Sequence, residues 1–226
     1  MLTFARAHGH RIDRIGAEIS TLIIGGWAGR DADAIQHHIE ELAAIGVPRP
    51  STVPVYYRCA ASILTQTDLL QVLGPDSSGE VEPVYVSLAD GLWVGIGSDH
   101  TDRKAETFGI ALSKQMCGKV MGTQLWKFDD VAPHWDELVL TAHAIIGGDR
   151  VLYQQGALSA LRRPEDLISR FAGDKGLAAG TVMFGGTLGA IGGIRPATRF
   201  EMELFDPVLK RRIAHAYDIQ ELPVIS

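Results

Sequence analysis

The sequence of 226 residues predicts a mainly β fold covered by a few α-helices. Short runs rich in branched and aromatic residues outnumber the segments with helical periodicity, and turn signals such as PDSSG, ADG and GGDR separate them. So few helices cannot alternate with so many strands, and a sheet of parallel βαβ units is not expected.

In chain order, residues 20–25 read as the first strand. A helix follows over 31–45, where Ile35, Ile39 and Leu42 recur at i, i+4 and i+7. Asp31 or Asp33 can cap its start, and Gly46 with Pro48 stops it. Strands are expected over 53–58, 70–73, 80–86 and 92–97, then a helix over 105–116. Strands over 138–145 and 151–154 precede a helix over 164–171. That helix has Pro164 at its first position, Glu165 and Asp166 at the positive end of its dipole, and Gly173 at its stop. Strands over 181–184 and 200–205 complete the pattern.

Composition narrows the function classes. Apolar residues make up 46% and charged residues 21%, as in ordinary globular proteins, which argues against disorder. The net charge of −6 is the wrong sign for a nucleic-acid grip. The first ten residues lack the apolar run of an export signal. The most apolar late stretch, 180–194, is interrupted by glycines and is shorter than the roughly 20 residues of a spanning helix. A cytoplasmic protein without membrane or nucleic-acid partners is expected. Its two cysteines, Cys59 and Cys117, read as buried free thiols.

Several constellations can carry chemistry. Glu80 and Glu82 project from one face of a strand, about 6.5 Å apart along it. Alone, that pair reads as a solvated strand face. The segment 98–103, SDHTDR, follows a buried strand directly and is either a polar hairpin turn or a set of groups aimed into a cleft. With Asp99 the glutamates would make an all-oxygen site for Mg²⁺, Mn²⁺ or Ca²⁺ rather than zinc. His38 and Glu41 share a helix face, as a surface ion pair or as a base with its orienting carboxylate. Lys114 follows the apolar stretch 108–112 and is either a helix-end lysine or an ammonium that stabilises an enolate. Gly185-Gly186-Thr187-Leu188-Gly189 offers backbone N–H groups and a hydroxyl to an anion. Neither a P-loop nor a GxSxG elbow is present.

Taken in order, these segments resemble the fumarylacetoacetate hydrolase superfamily from about residue 25 onward. Glu80-Val81-Glu82 is similar to the family's E-x-E metal pair, and Ser98-Asp99-His100-Thr101-Asp102-Arg103 to its ND-x-[TS]-A-R-D motif. Lys114 falls where the family has its active-site lysine. LAAGTVMFGGTLG resembles the family's substrate-contacting threonine motif, with Thr187 on the threonine. Tyr56-Tyr57-Arg58 resembles the "P..P..F.Kp" segment, with Arg58 in place of lysine, and His38-Ile39-Glu40-Glu41 resembles the H-x-x-E of a mobile lid. Asp102 stands where the family has alanine, and Lys104 where it has aspartate.

The resemblance implies a mixed, curved β-roll or sandwich, with 1–226 as one domain and 1–50 as its N-terminal strand and lid-helix region. It implies a homodimer that uses Mg²⁺ or Mn²⁺, with Ca²⁺ as a substitute, on a small oxo-carboxylate. Glu80, Glu82 and Asp99 would hold the metal. His38, Glu41 and Lys114 would be catalytic, and Arg58, Arg103 and Thr187 would bind substrate. The reaction expected is carbon–carbon bond hydrolysis of a 2-oxo acid or 1,3-dicarbonyl compound through an enolate-like intermediate. Decarboxylation, tautomerisation or hydration on the same site, and a non-catalytic binding role, are the alternatives.

Overall fold

Strand pairing organises the computed structural model, which describes residues 1–44 and 49–225, without the side chains of 34, 38 and 41–44. The chain starts with an antiparallel hairpin of β1 (Leu2–His8) and β2 (Arg11–Ala17), followed by β3 (Thr21–Gly26). Helix α1 (Ala32–Ala44) begins where the Asp33 N–H donates to Asp31 Oδ1 at 3.0 Å. The stop expected at Gly46 and Pro48 lies outside the described residues. Strands β4 (Val55–Cys59), β5 (Leu64–Thr65), β6 (Leu69–Leu73), β7 (Ser77–Ser78), β8 (Val81–Leu88), β9 (Gly91–Ser98) and β10 (Thr101–Asp102) follow.

Next come α2 (Arg103–Glu106), α3 (Ile110–Met116), β11 (Lys119–Met121), β12 (Gln124–Lys127) and α4 (Phe128–Val131). The chain continues through β13 (Val139–Ile146), β14 (Asp149–Ala157), α5 (Pro164–Ala172), β15 (Thr181–Phe184), β16 (Arg199–Asp206) and β17 (Arg211–Leu222). The helix expected over 105–116 is two helices. Thr107 and Phe108 donate back to the carbonyls of Lys104 and Ala105, which closes α2 before α3 starts at Ile110, just after Gly109.

The first large sheet runs β2-β1-β12-β9-β8-β15-β3-β4, with β11 added beside β9 and β5 beside β11. The second runs β14-β13-β16-β17-β6, and β7 pairs with β10 in a small ladder. Pairs β1–β12, β5–β11, β3–β15 and β6–β17 are parallel and the rest antiparallel, so both large sheets are mixed. The mainly β, mixed-sheet architecture expected from the sequence is the one found.

Alternation assigns the first sheet two buried faces. Ile23, Tyr85, Val94 and Met183 join Leu140, Met202, Leu204 and Tyr217 of the second sheet in one core. Their neighbours Leu22, Ile24, Val84, Val86, Val182 and Phe184 form a second core with Phe4 and Leu125. That second core is drawn from strands of the first sheet alone, so the sheet curls around it. Cys59 and Cys117 are buried free thiols. No helix among the described residues is long and apolar enough to cross a membrane.

Candidate metal centre

Register builds the site. In the β8–β9 hairpin Val81 faces Ser98 and Glu82 faces Gly97. The Asp99 N–H donates to the Glu80 carbonyl at 3.0 Å, which extends the pairing by one residue. Glu80 and Glu82 share a face because side chains repeat every second residue, and Asp99, opposite Glu80, shares it too. A carboxylate oxygen from each of the three lies within 4.8 Å of the others. Oxygens bound to one ion at about 2.0–2.6 Å sit no farther apart than about 5 Å, so the spacing fits a shared cation, and an all-oxygen set suits a hard one. The same row continues into Val84 and Val86, so the acidic group closes one end of the curled sheet's interior.

Three basic side chains balance the carboxylates. From α3, Lys114 Nζ reaches Glu80 Oε2 at 2.9 Å and Asp99 Oδ2 at 2.5 Å, and it also donates to Thr101 Oγ1. Lys119 of β11 is fully buried, with Nζ 2.7 Å from Asp99 Oδ1 and donating to the His100 carbonyl. Arg103 sits 3.1 Å from Glu80 Oε1 and 3.0 Å from Glu106, and its Nε donates to Ser78. Asp102 caps α2 by accepting from the Ala105 N–H at 2.8 Å.

Electrostatics separates the three carboxyls. Burial opposes ionisation of Asp99, but Lys114 and Lys119 overcome it and hold the group at about 2. Burial likewise opposes Glu80, and Lys114 with Arg103 keeps it below the usual range. Glu82 is pushed well up, by burial first and then by the charges of Asp99 and Glu80. The Gly186 N–H donates to its Oε2 at 2.8 Å. Gly186 turns that N–H inward at φ +93°, a conformation that disfavours other residues. The glycine run expected to cradle an anion therefore spends this donor on Glu82.

Behind Asp99 stands a buried polar chain. His100 Nδ1 lies 2.9 Å from the Tyr217 hydroxyl and Nε2 2.9 Å from Ser77 Oγ, while Tyr217 donates to Ser98. Burial, then Lys119 and Arg103, pull the imidazole down to about 3, so it is neutral. This chain and Lys119 fix the backbone and one oxygen of Asp99 from the side away from the cleft.

Glu80, Glu82, Asp99, Arg103, Lys114 and Thr187 line one cavity of about 730 Å³. Thr187 Oγ1 donates to the Val81 carbonyl at 2.7 Å and accepts from Gln154 at 2.8 Å, so its hydroxyl proton faces the backbone. Arg58 is not brought to this cavity. Alternation along β4 sends Tyr57 into the cleft and leaves Arg58 exposed on the opposite side. His38 and Glu41 lie on α1, but their side chains are outside the described residues. Tyr57 enters the cleft from the Tyr56-Tyr57-Arg58 segment, whereas Lys119 and Gln154 belong to none of the sequence motifs. A lysine flanked by Gly118 and the apolar Val120-Met121 was the available signal for Lys119.

A family model described as "Protein of unknown function (DUF2848)" matches residues 25–217. No curated protein matches the sequence. Among solved structures, Cg1458 with inhibitor is similar with a TM-score of 0.67 at 14% identity, over 93% of this chain and 81% of that one. 2-Keto-3-deoxy-D-arabinonate dehydratase complexed with magnesium and 2,5-dioxopentanoate is similar with a TM-score of 0.63 at 15% identity, over 92% of this chain and 75% of that one. At such identities the likeness is one of fold.

Proposed function

This chain belongs to the DUF2848 family, and on that premise we propose that it is a fumarylacetoacetate hydrolase-like enzyme that acts on a small 2-oxo acid with Mg²⁺ or Mn²⁺. One observation carries the reading: three buried or half-buried carboxylates converge beside Lys114 at the end of an open cleft. Glu80, Glu82 and Asp99 would hold the ion, which when bound polarises a 2-oxo group as a Lewis acid. Lys114 stands beside the same oxygens, placed to stabilise negative charge that spreads beyond the ion's reach. Arg103 keeps Glu80 ionised. Thr187 and Gln154 brace the start of β8. His38 and Glu41 are proposed as the pair that activates water.

Charge stabilised in this way belongs to an enolate, and bond breaking next to an enolate can be hydrolysis of a carbon–carbon bond or loss of water. The fold likeness to a 2-keto-3-deoxy acid dehydratase favours keeping the second reading beside the first. A homodimer is proposed as well. The edge strand β6 exposes Leu69 and Leu73, and Val224 and Ile225 beyond β17 are exposed as well, which leaves apolar surface for a second copy to cover.

The test is turnover of acylpyruvates, oxaloacetate and 2-oxo-3-deoxy acids by purified protein, with and without added Mg²⁺ or Mn²⁺. Metal-dependent turnover of one class supports the reading and selects the reaction. Absence of metal-dependent turnover across all three classes would return the chain to a binding role.

A further inference from the structure

The cleft changes character beyond its acidic end. Trp27, Ile35, Ile110, Leu188 and Ile194 line the remainder. Several of the nearby polar groups already have partners. Gln154 gives its amide hydrogens to Thr187 and the Leu188 carbonyl, and its oxygen accepts from the Val81 N–H. Thr187 donates to the Val81 carbonyl. Among the described residues, the cleft's cationic side chains are Arg103 and Lys114, and each is held by two carboxylates. Asp31 and Glu106 add negative charge to the lining. At about 730 Å³ the cavity is in the range that encloses ligands much larger than a three-carbon head group.

Resting on the 2-oxo acid reading above, we propose that the substrate is a monocarboxylate with a neutral, apolar tail, an alkyl or aryl chain rather than a polyol or a second carboxylate. A polyol tail would strip water from its hydroxyls against Ile35, Ile110 and Leu188, and those out of reach of Asp31 and Glu106 would go without partners, which disfavours it. A distal carboxylate would meet acidic groups and no uncommitted cation in the described lining. Each methylene laid on the apolar wall should tighten binding by about fourfold.

The experiment is calorimetric titration of the Mn²⁺-loaded protein with oxalate, 2-oxobutyrate, 2-oxohexanoate, 2-ketogluconate and 2-oxohexanedioate. Oxalate tests the head-group reading alone. The expected result is oxalate binding, 2-oxohexanoate about fifteenfold tighter than 2-oxobutyrate, and both polar six-carbon acids at least tenfold weaker than 2-oxohexanoate. Ile110→Asn, and the more exposed Ile194→Asn where the first does not fold, should erase most of the alkyl gain and leave oxalate affinity unchanged. Oxalate binding with no alkyl preference overturns the tail proposal and spares the head-group reading. Failure of oxalate and every 2-oxo acid to bind overturns both.

Discussion

Lys119 and Asp99 form an ion pair of 2.7 Å with neither side chain more than marginally accessible, on the side of Asp99 that faces away from the cleft. The pair ties one oxygen of a candidate metal ligand to strand β11 and leaves the other toward Lys114 and the cavity.

Removing Lys119 should therefore harm folding before it harms chemistry. Lys119→Met leaves a buried carboxylate half-compensated, and breaking such a pair costs about 3–5 kcal/mol. Urea denaturation of Lys119→Met, Asp99→Asn and the double variant should show strong coupling between the two positions. Simple additivity would mean that the pair contributes no joint energy.

Lys114→Met should act differently. The ammonium touches two of the three candidate ligands, so its removal frees oxygens for a cation, and Mn²⁺ affinity should rise. Turnover, once a substrate is in hand, should fall about a hundredfold, mainly in kcat, because the lost donor acts on charge that develops in the reaction. Lys114→Arg should not rescue it fully, since a planar fork replaces a compact charge. Normal turnover in Lys114→Met would remove the lysine from the chemistry.

Metal binding should depend on pH through Glu82. Its raised pKa means that the metal-free site keeps a proton there at pH values where an ordinary glutamate has lost it. A cation must displace that proton, so affinity should climb as pH rises toward the Glu82 pKa and level off above it. Titrations in buffers of different ionisation enthalpy should detect proton release. Glu82→Gln should bind weakly and lose the pH slope. A flat profile in the unsubstituted protein would show that Glu82 is ionised beforehand.

Stability should fall with acid through His100. The folded imidazole sits near 3 against an ordinary value of 6.5, so the unfolded chain takes up its proton first. The contribution is complete above pH 6.5 and declines from there to about pH 3, at about 1.4 kcal/mol per pH unit. Denaturation at pH 7.5 and 5.0 should show the loss, and His100→Gln should reduce it. Equal slopes in the two proteins would assign the acid sensitivity elsewhere.

The sequence revealed those strands whose neighbours are apolar on both sides, such as β8, β9 and β15, because both faces of the curled sheet are buried. It hid β1, β2 and β17, whose polar residues face solvent and break the apolar run. The acidic cluster was visible as Glu80 and Glu82 at i and i+2 ahead of Asp99, since strand alternation alone puts the first two on one face. Lys119 was hidden because a single lysine in a three-residue strand looks like surface. Arg58 was drawn toward the site by its motif, but the two-residue period of β4 gives that place to Tyr57. The split at Gly109 was hidden because the carbonyls that end α2 are satisfied locally.

The β8–β9 hairpin ties the acidic cluster to the hydrophobic interior. A slip of one residue would turn Glu80 and Glu82 out of the cluster and, in the same movement, exchange the two apolar cores that Tyr85 and Val84 serve. The head-group end of the cleft thus cannot drift without unfolding the protein. Much of the remaining wall, by contrast, comes from the Trp27–Gly29 and Leu188–Ile194 connections, which carry little of either core. Substitution there can alter which molecules are accepted while the reacting end stays intact, so this architecture separates the invention of new specificities from the maintenance of the chemistry.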